Sequence, residues 1–114
     1  MVKGIAVLKR KPGLSQDEFI RHYEEVHVPP VSKHLPSVKR YVRNYVINTV
    51  VAPRGVEELE FDCITEQWFD DMQGFQAMMD FAASEPSRVI RDDEKNFLDR
   101  KKTVYVLVKE TISK

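Results

Sequence analysis

Four short β-forming runs and two amphipathic helical stretches follow one another in the order β-α-β-β-α-β. That order predicts an α+β fold of the ferredoxin-like type, built on one antiparallel sheet with its helices on one face. Two further observations agree with it. The length of 114 residues suits one domain over 1–114, with no repeat, low-complexity run or internal boundary. The first and last strands are also apolar on both faces, so the sheet needs cover on each side.

The first strand is read over Val2 to Leu8, ended by Lys9-Arg10-Lys11 and the turn pair Pro12-Gly13. Ser15-Gln16-Asp17-Glu18 then forms a capping box, with Leu14 placed to staple onto Phe19. Phe19, Tyr23, Val26 and His27 fall on one helical face. Pro29 and Pro30 lack N–H groups, which deprives the carbonyls of Glu25 and Val26 of donors. Val28 precedes a proline and is steered away from helical dihedrals. The helix is therefore expected to kink or stop at His27–Val28, then to continue through Val31 and Leu35 to Pro36.

Val38 to Asn48 reads as the second strand, with Tyr41, Arg43, Tyr45 and Ile47 on one face. Thr49 to Glu60, with Pro53-Arg54-Gly55, reads as a long hairpin loop. Phe61 to Phe69 is the third strand. Asp70 is the expected cap of the next helix, which sets Met72, Phe75, Met79 and Ala82 on one stripe. A further helical piece from about Pro86 to Leu98 aligns Val89, Ile90, Asp93 and Phe97. Thr103 to Glu110 is the last strand.

Charge composition removes several function classes. Eighteen Lys and Arg balance eighteen Asp and Glu. A neutral chain lacks the positive field that nucleic acid or an anionic membrane needs, so neither is expected as a partner. The single cysteine, Cys63, excludes an internal disulfide and fits a reducing, cytoplasmic setting. No leader or bilayer-spanning apolar run is recognised. Three or four ligands at metal-binding spacing are missing too, so no metal is expected.

His27 is the foremost candidate for chemistry. At a helix break it either satisfies freed carbonyls or keeps one ring nitrogen available as a base. His22 falls at the edge of the buried face, and the break separates His34 in phase from His27. Asp93, beside an apolar stripe, either orients a histidine, acts as an acid of raised pKa, or bonds a nearby backbone group or an Arg such as Arg40. Asp92 and Glu94 read as solvated charges. On the third strand Glu66 and Trp68 alternate with Thr65 and Gln67, and alternation alone leaves open which pair faces inward. Glu66 is a candidate cavity acid or a cross-strand partner of Arg43. Tyr23, Tyr41, Tyr45 and Trp68 can wall an aromatic pocket or fill a core. Met72, Met78 and Met79 read as core filler, and Cys63 as a small buried hydrophobe.

Taken together, KRKPGLSQDEFIRHYEEVH, HVPPVSKHLPSVKRYV, ITEQWFD and DDEKNFLD resemble the EthD-domain family over nearly the whole chain. The resemblance implies a dimeric α+β barrel, in which ferredoxin-like protomers pair sheet to sheet and each holds a cavity between helices and sheet. The first function class is a cofactor-independent enzyme in which His27 moves a proton and Asp93 or Glu66 tunes or assists it. Tyr23, Tyr41, Trp68 and Gln67 would then contact a small aromatic, polyketide- or lactone-like ligand. In the similar methylmuconolactone methylisomerase a cysteine stands where this chain has Gln67, a departure that speaks against that isomerase chemistry. The alternative class is a non-catalytic ligand-binding or accessory protein of an oxygenase or ether-degradation system. A homodimer is expected under either reading, because the open sheet face needs a second copy.

Overall fold

The computed structural model describes residues 1–55 and 59–113. The strands are β1 (Val2–Leu8), β2 (Arg40–Tyr45), β3 (Cys63–Phe69) and β4 (Val104–Val108). The helices are α1 (Gln16–His22), α2 (Val28–His34), α3 (Met72–Ala82) and α4 (Arg88–Phe97). They form a four-stranded sheet in the order β2-β3-β1-β4, with every neighbouring pair antiparallel. This is the expected α+β, ferredoxin-like arrangement. β1 has the expected bounds, while β2, β3 and β4 are shorter than the β-forming runs that contain them. Part of the loop expected over Thr49–Glu60 lies outside the described residues. Among the described residues, no helix is long and apolar enough to cross a membrane.

The Ser15 capping box is complete: Ser15 Oγ accepts from Glu18 N, and Glu18 returns the bond to Ser15 N. The helix neither stops nor breaks at His27. Tyr23–His27 winds as one π-helical turn, and Val28, in helical conformation, donates its N–H to the Tyr23 carbonyl five residues back. α2 follows directly with Pro29 and Pro30 in its first turn, where missing N–H groups are tolerated. The wider turn absorbs what was expected to be a kink. It also rotates Val26 outward, to 49% exposure, while Phe19, Tyr23 and His27 stay buried.

Three further expectations are corrected. Asp71, not Asp70, caps α3 by accepting from Gly74 N at 2.9 Å. Phe75 packs edge-on against Phe69, ring centroids 5.6 Å apart. With α3 anchored there, Met78 turns inward and Met72 and Met79 face solvent. On α4, Val89 is exposed, and Ile90 and Phe97 form the inner side.

Residues paired across antiparallel strands share a face. Ala6, Leu8, Tyr41, Tyr45, Cys63, Thr65, Gln67 and Phe69 thus look toward the helices. Leu8, Phe19, Tyr23, Cys63, Phe97 and Leu98 make the core there. Cys63 is the small buried hydrophobe expected, its thiol pushed up to about 11 by burial. The opposite face carries Ile5, Val7, Val42, Ile64, Val104 and Val106. Val104 and Val106 are 52% and 41% exposed, a large apolar surface on an open sheet.

Candidate functional site

The site starts from Phe97, a fully buried ring on the inner side of α4. His22 stacks on it at 5.0 Å and His27 leans on it at 4.9 Å, centroid to centroid. One turn earlier on α4, Asp93 meets both histidines. Its Oδ1 lies 2.8 Å from His22 Nε2 and its Oδ2 lies 3.1 Å from His27 Nδ1. Asn96 Nδ2 donates to Oδ1 at 3.1 Å. Among the described residues Asp93 thus bonds neither a backbone group nor Arg40, and His27 is oriented by this carboxylate instead of the freed helix carbonyls.

The π-helical turn makes the arrangement possible. In a regular α-helix at 3.6 residues per turn, residues five apart point about 140° from one another. Widening the turn brings His22 and His27 round to the same side, and such π-turns recur at functional sites. His22, placed only at the edge of the buried face by its spacing, is therefore part of the cluster. His34 stacks on Phe81 elsewhere, at 5.8 Å.

Electrostatics fix the proton positions. Burial pushes the Asp93 carboxyl up, but bonds from Asn96, His22 and His27 outweigh it and hold the group below its ordinary range. Asp93 is thus a carboxylate near neutral pH and accepts from both rings. His27 must then carry its proton on Nδ1, which leaves Nε2 with a lone pair. Burial draws the His27 pKa below its ordinary value despite the opposing pull of Asp93, so the ring is neutral at pH 7. Nε2 has no hydrogen-bond partner among the described residues.

His27 borders a cavity of about 280 Å³ between the helices and the sheet. Its apolar wall includes Val31, Leu35, Met78, Ile90 and Phe97. Its polar wall is a row of hydroxyls and one amide. Tyr23 OH lies 2.7 Å from Thr65 Oγ1 and 3.0 Å from Tyr41 OH, and Tyr105 OH donates to Gln67 Oε1 at 2.8 Å. Burial raises Tyr23 well above the usual phenol range and pushes Tyr41 and Tyr105 up to about 12. These phenols stay protonated near neutral pH and serve as hydrogen-bonding groups.

The structure therefore brings together His27, Asp93, Tyr23, Tyr41 and Gln67 from the expected set. Glu66 and Trp68 are corrected. Period-two alternation turns them to the opposite face of the sheet, because Thr65 and Gln67 face inward. Glu66 pairs with Lys3 at 3.2 Å. The Trp68 ring lies between Lys3 Nζ at 4.5 Å and Arg40 Cζ at 4.8 Å. Arg43, the expected partner of Glu66, instead grips Glu24 with two nitrogens, at 2.9 and 2.7 Å. Sequence reasoning missed Thr65, Tyr105 and Glu94, all of which line the cavity. The spacing of Glu94 from Ile90 and Phe97, four and three residues, was the available signal for that carboxyl. Among the described residues, no group of three or more His, Cys, Asp or Glu is arranged to hold a metal ion.

Comparison with known proteins adds to this picture. A family model described as EthD domain matches residues 11–101. An ethyl tert-butyl ether d (EthD) family protein from Bacillus halodurans superimposes with a TM-score of 0.67 at 17% identity, covering 97% of this chain and 100% of that one. A dimeric ferredoxin-like protein of unknown function from Thermobifida fusca gives 0.59 at 15% identity, over 94% and 88% of the two chains. The hydroxynitrile lyase from Passiflora edulis gives 0.57 at 18% identity, over 98% and 96%. At these identities the likeness to the solved structures is one of fold. A search of curated proteins found no match.

Proposed function

Because this chain belongs to the EthD domain family, whose model spans residues 11–101, we propose that it is an acid–base enzyme acting on a small ring compound, aromatic or lactone-like. The observation that carries this reading is the Asp93–His27 pair. Asp93 fixes the His27 tautomer at 3.1 Å, and the unprotonated Nε2 belongs to a ring that borders the cavity. A neutral, partly desolvated imidazole held by a carboxylate has the form of a general base. The lyase from Passiflora edulis supports the reading only by analogy, as a catalyst on the same fold.

In this mechanism Nε2 takes a proton from a carbon next to a substrate carbonyl. The imidazolium that forms is stabilised by Asp93, and the proton is returned to another position of the same substrate. Tyr23 and Tyr41, joined at 3.0 Å, and the Gln67–Tyr105 pair offer hydrogen bonds to substrate oxygens. The experiment is conversion of 3-cyclohexen-1-one to its conjugated isomer, followed by ultraviolet absorbance. Replacing His27 by Gln is expected to lower the rate about 10²–10⁴-fold. Equal rates for the two proteins would overturn the assignment.

The protein acts, in the same reading, as a homodimer that buries the open sheet face. The exposed Val104 and Val106 and the dimeric neighbour from Thermobifida fusca support this. A buried free thiol fits a reducing, cytoplasmic setting.

A further inference from the structure

Glu94 follows Asp93 on α4, but its side chain serves a different space. Ile90, Glu94 and Phe97 share the helix side that borders the His27 cavity. Asp93 is committed to two histidines and Asn96, whereas no hydrogen bond or ion pair involves the Glu94 side chain among the described residues, its backbone carbonyl accepting from Leu98 N at 2.8 Å. Among the described residues no lysine or arginine lines the cavity, so Glu94 has no countercharge there. Arg91 and Arg100 are on its outer side, bordering an adjoining depression with Glu94 and Thr103. Arg91 is tied to Ser87 Oγ at 2.7 Å and to the Ser84 carbonyl at 3.1 Å, and Arg100 donates to the Arg91 carbonyl.

We propose that Glu94 is the general acid of this cavity, a catalytic residue that protonates a substrate oxygen while His27 removes a proton from carbon. The proposal rests on the base reading of His27 and adds the second half of the proton inventory. Burial raises the Glu94 pKa; Asp93 adds to the rise, and Arg100 and Arg91 oppose it without reversing it. The other polar groups lining the cavity are the neutral His27 ring, the protonated phenols of Tyr23, Tyr41 and Tyr105, Thr65, Gln67 and Thr103, while Asp92 joins Arg91 and Arg100 around the outer depression. Environments that push a carboxyl up and an imidazole down within one cavity separate an acid from a base.

The step balances with these two groups alone. His27 Nε2 takes a proton from the carbon beside a carbonyl, and the C–H electron pair becomes the C=C bond of an enol. The C=O π pair moves to oxygen, which receives the Glu94 proton. In the return half, the imidazolium gives its proton to the far carbon of the conjugated system, and Glu94 recovers the O–H proton. Nothing is oxidised or reduced, and both residues end as they began.

Wild type, Glu94→Gln and His27→Gln are compared on 3-cyclohexen-1-one across pH. Glu94→Gln is expected to lose about 10²–10⁴-fold in kcat with KM little changed. The limb on which activity falls as Glu94 ionises should also vanish from its pH profile. If His27→Gln is inactive while Glu94→Gln keeps full kcat and the same profile, the acid assignment is overturned and the base reading stands. A wild type that does not convert the ketone overturns both. Carboxyl ¹³C NMR, with Glu94 assigned by the Gln variant, adds a test free of turnover. Titration of Glu94 above the ordinary glutamate range is expected, and titration at or below it overturns the proposal.

Discussion

His22 and His27, five residues apart on one helical segment, converge on opposite oxygens of Asp93, at 2.8 and 3.1 Å. Both rings also rest on Phe97. The convergence depends on the π-helical turn over Tyr23–His27, and that turn precedes a Pro29-Pro30 pair that cannot supply helical donors. A backbone irregularity set by two prolines thereby builds the hydrogen-bonding frame of the candidate base.

Asp93→Asn tests that frame. An Asn amide can donate to His27 Nδ1, which would move the ring proton to Nε2 and blunt the base. Turnover of 3-cyclohexen-1-one should fall about 10²–10⁴-fold. Loss of two charge-assisted bonds should also cost about 1–3 kcal/mol of stability, measured by urea unfolding. Unchanged turnover in a folded Asn variant would remove Asp93 from the mechanism.

Stability should decline on the acid side. Burial holds folded His27 below its ordinary 6.5, so the unfolded chain binds more protons in the window just beneath that value. The stabilising contribution of neutral His27 is present above 6.5 and is lost as pH falls toward its folded pKa. Asp93 is held below its ordinary 3.8, so its contribution persists above that value and is lost as pH falls through its folded pKa. Unfolding free energy measured against pH should show both declines, and His27→Gln should remove the upper one. An upper decline that survives in His27→Gln would contradict the assignment.

Gly4 controls one end of the polar wall. A Cβ there would lie 2.0 Å from the Tyr105 hydroxyl. Gly4→Ala must therefore swing Tyr105 away from Gln67 and break their 2.8 Å bond. The expected cost is about 1–3 kcal/mol, read by thermal unfolding. A variant as stable as wild type would show that the tyrosine does not hold this position in solution.

The sheet face remote from the cavity should carry the dimer contact. Val106 is 41% exposed there, paired with Ile5 across β1. Val106→Glu would place a charge in an apolar contact and should convert a dimeric species to a folded monomer in sedimentation velocity. A monomeric wild type at low concentration, or an unaltered dimer in the variant, would sink the proposal.

Much of the fold was legible in local chemistry. The Ser15 capping box, the two-faced apolar strands and the β-α-β-β-α-β order each rest on neighbouring residues and survive in three dimensions. The site was legible only in part. His27, Asp93, Tyr23, Tyr41 and Gln67 meet because helix face and strand alternation can be traced from sequence. His22 was missed because a Pro-Pro pair signals a break, while a wider turn satisfies the same constraint. Glu66 and Trp68 were misplaced because an alternating strand has two equivalent faces until the helices choose one. Glu94 looked like a surface charge beside Asp92, although its spacing from Ile90 and Phe97 places it on the inner side of α4.

The assignment of a base rests on His27 being a neutral imidazole whose Nε2 lacks a hydrogen-bond partner among the described residues, in a ring that borders the cavity. Its ring ¹⁵N shifts near neutral pH, assigned with His27→Gln, test this without any knowledge of substrate. A protonated Nδ1, an Nε2 in the unprotonated range and a titration midpoint below 6.5 are expected. A protonated Nε2 at neutral pH, as the other tautomer or as the imidazolium, would contradict it.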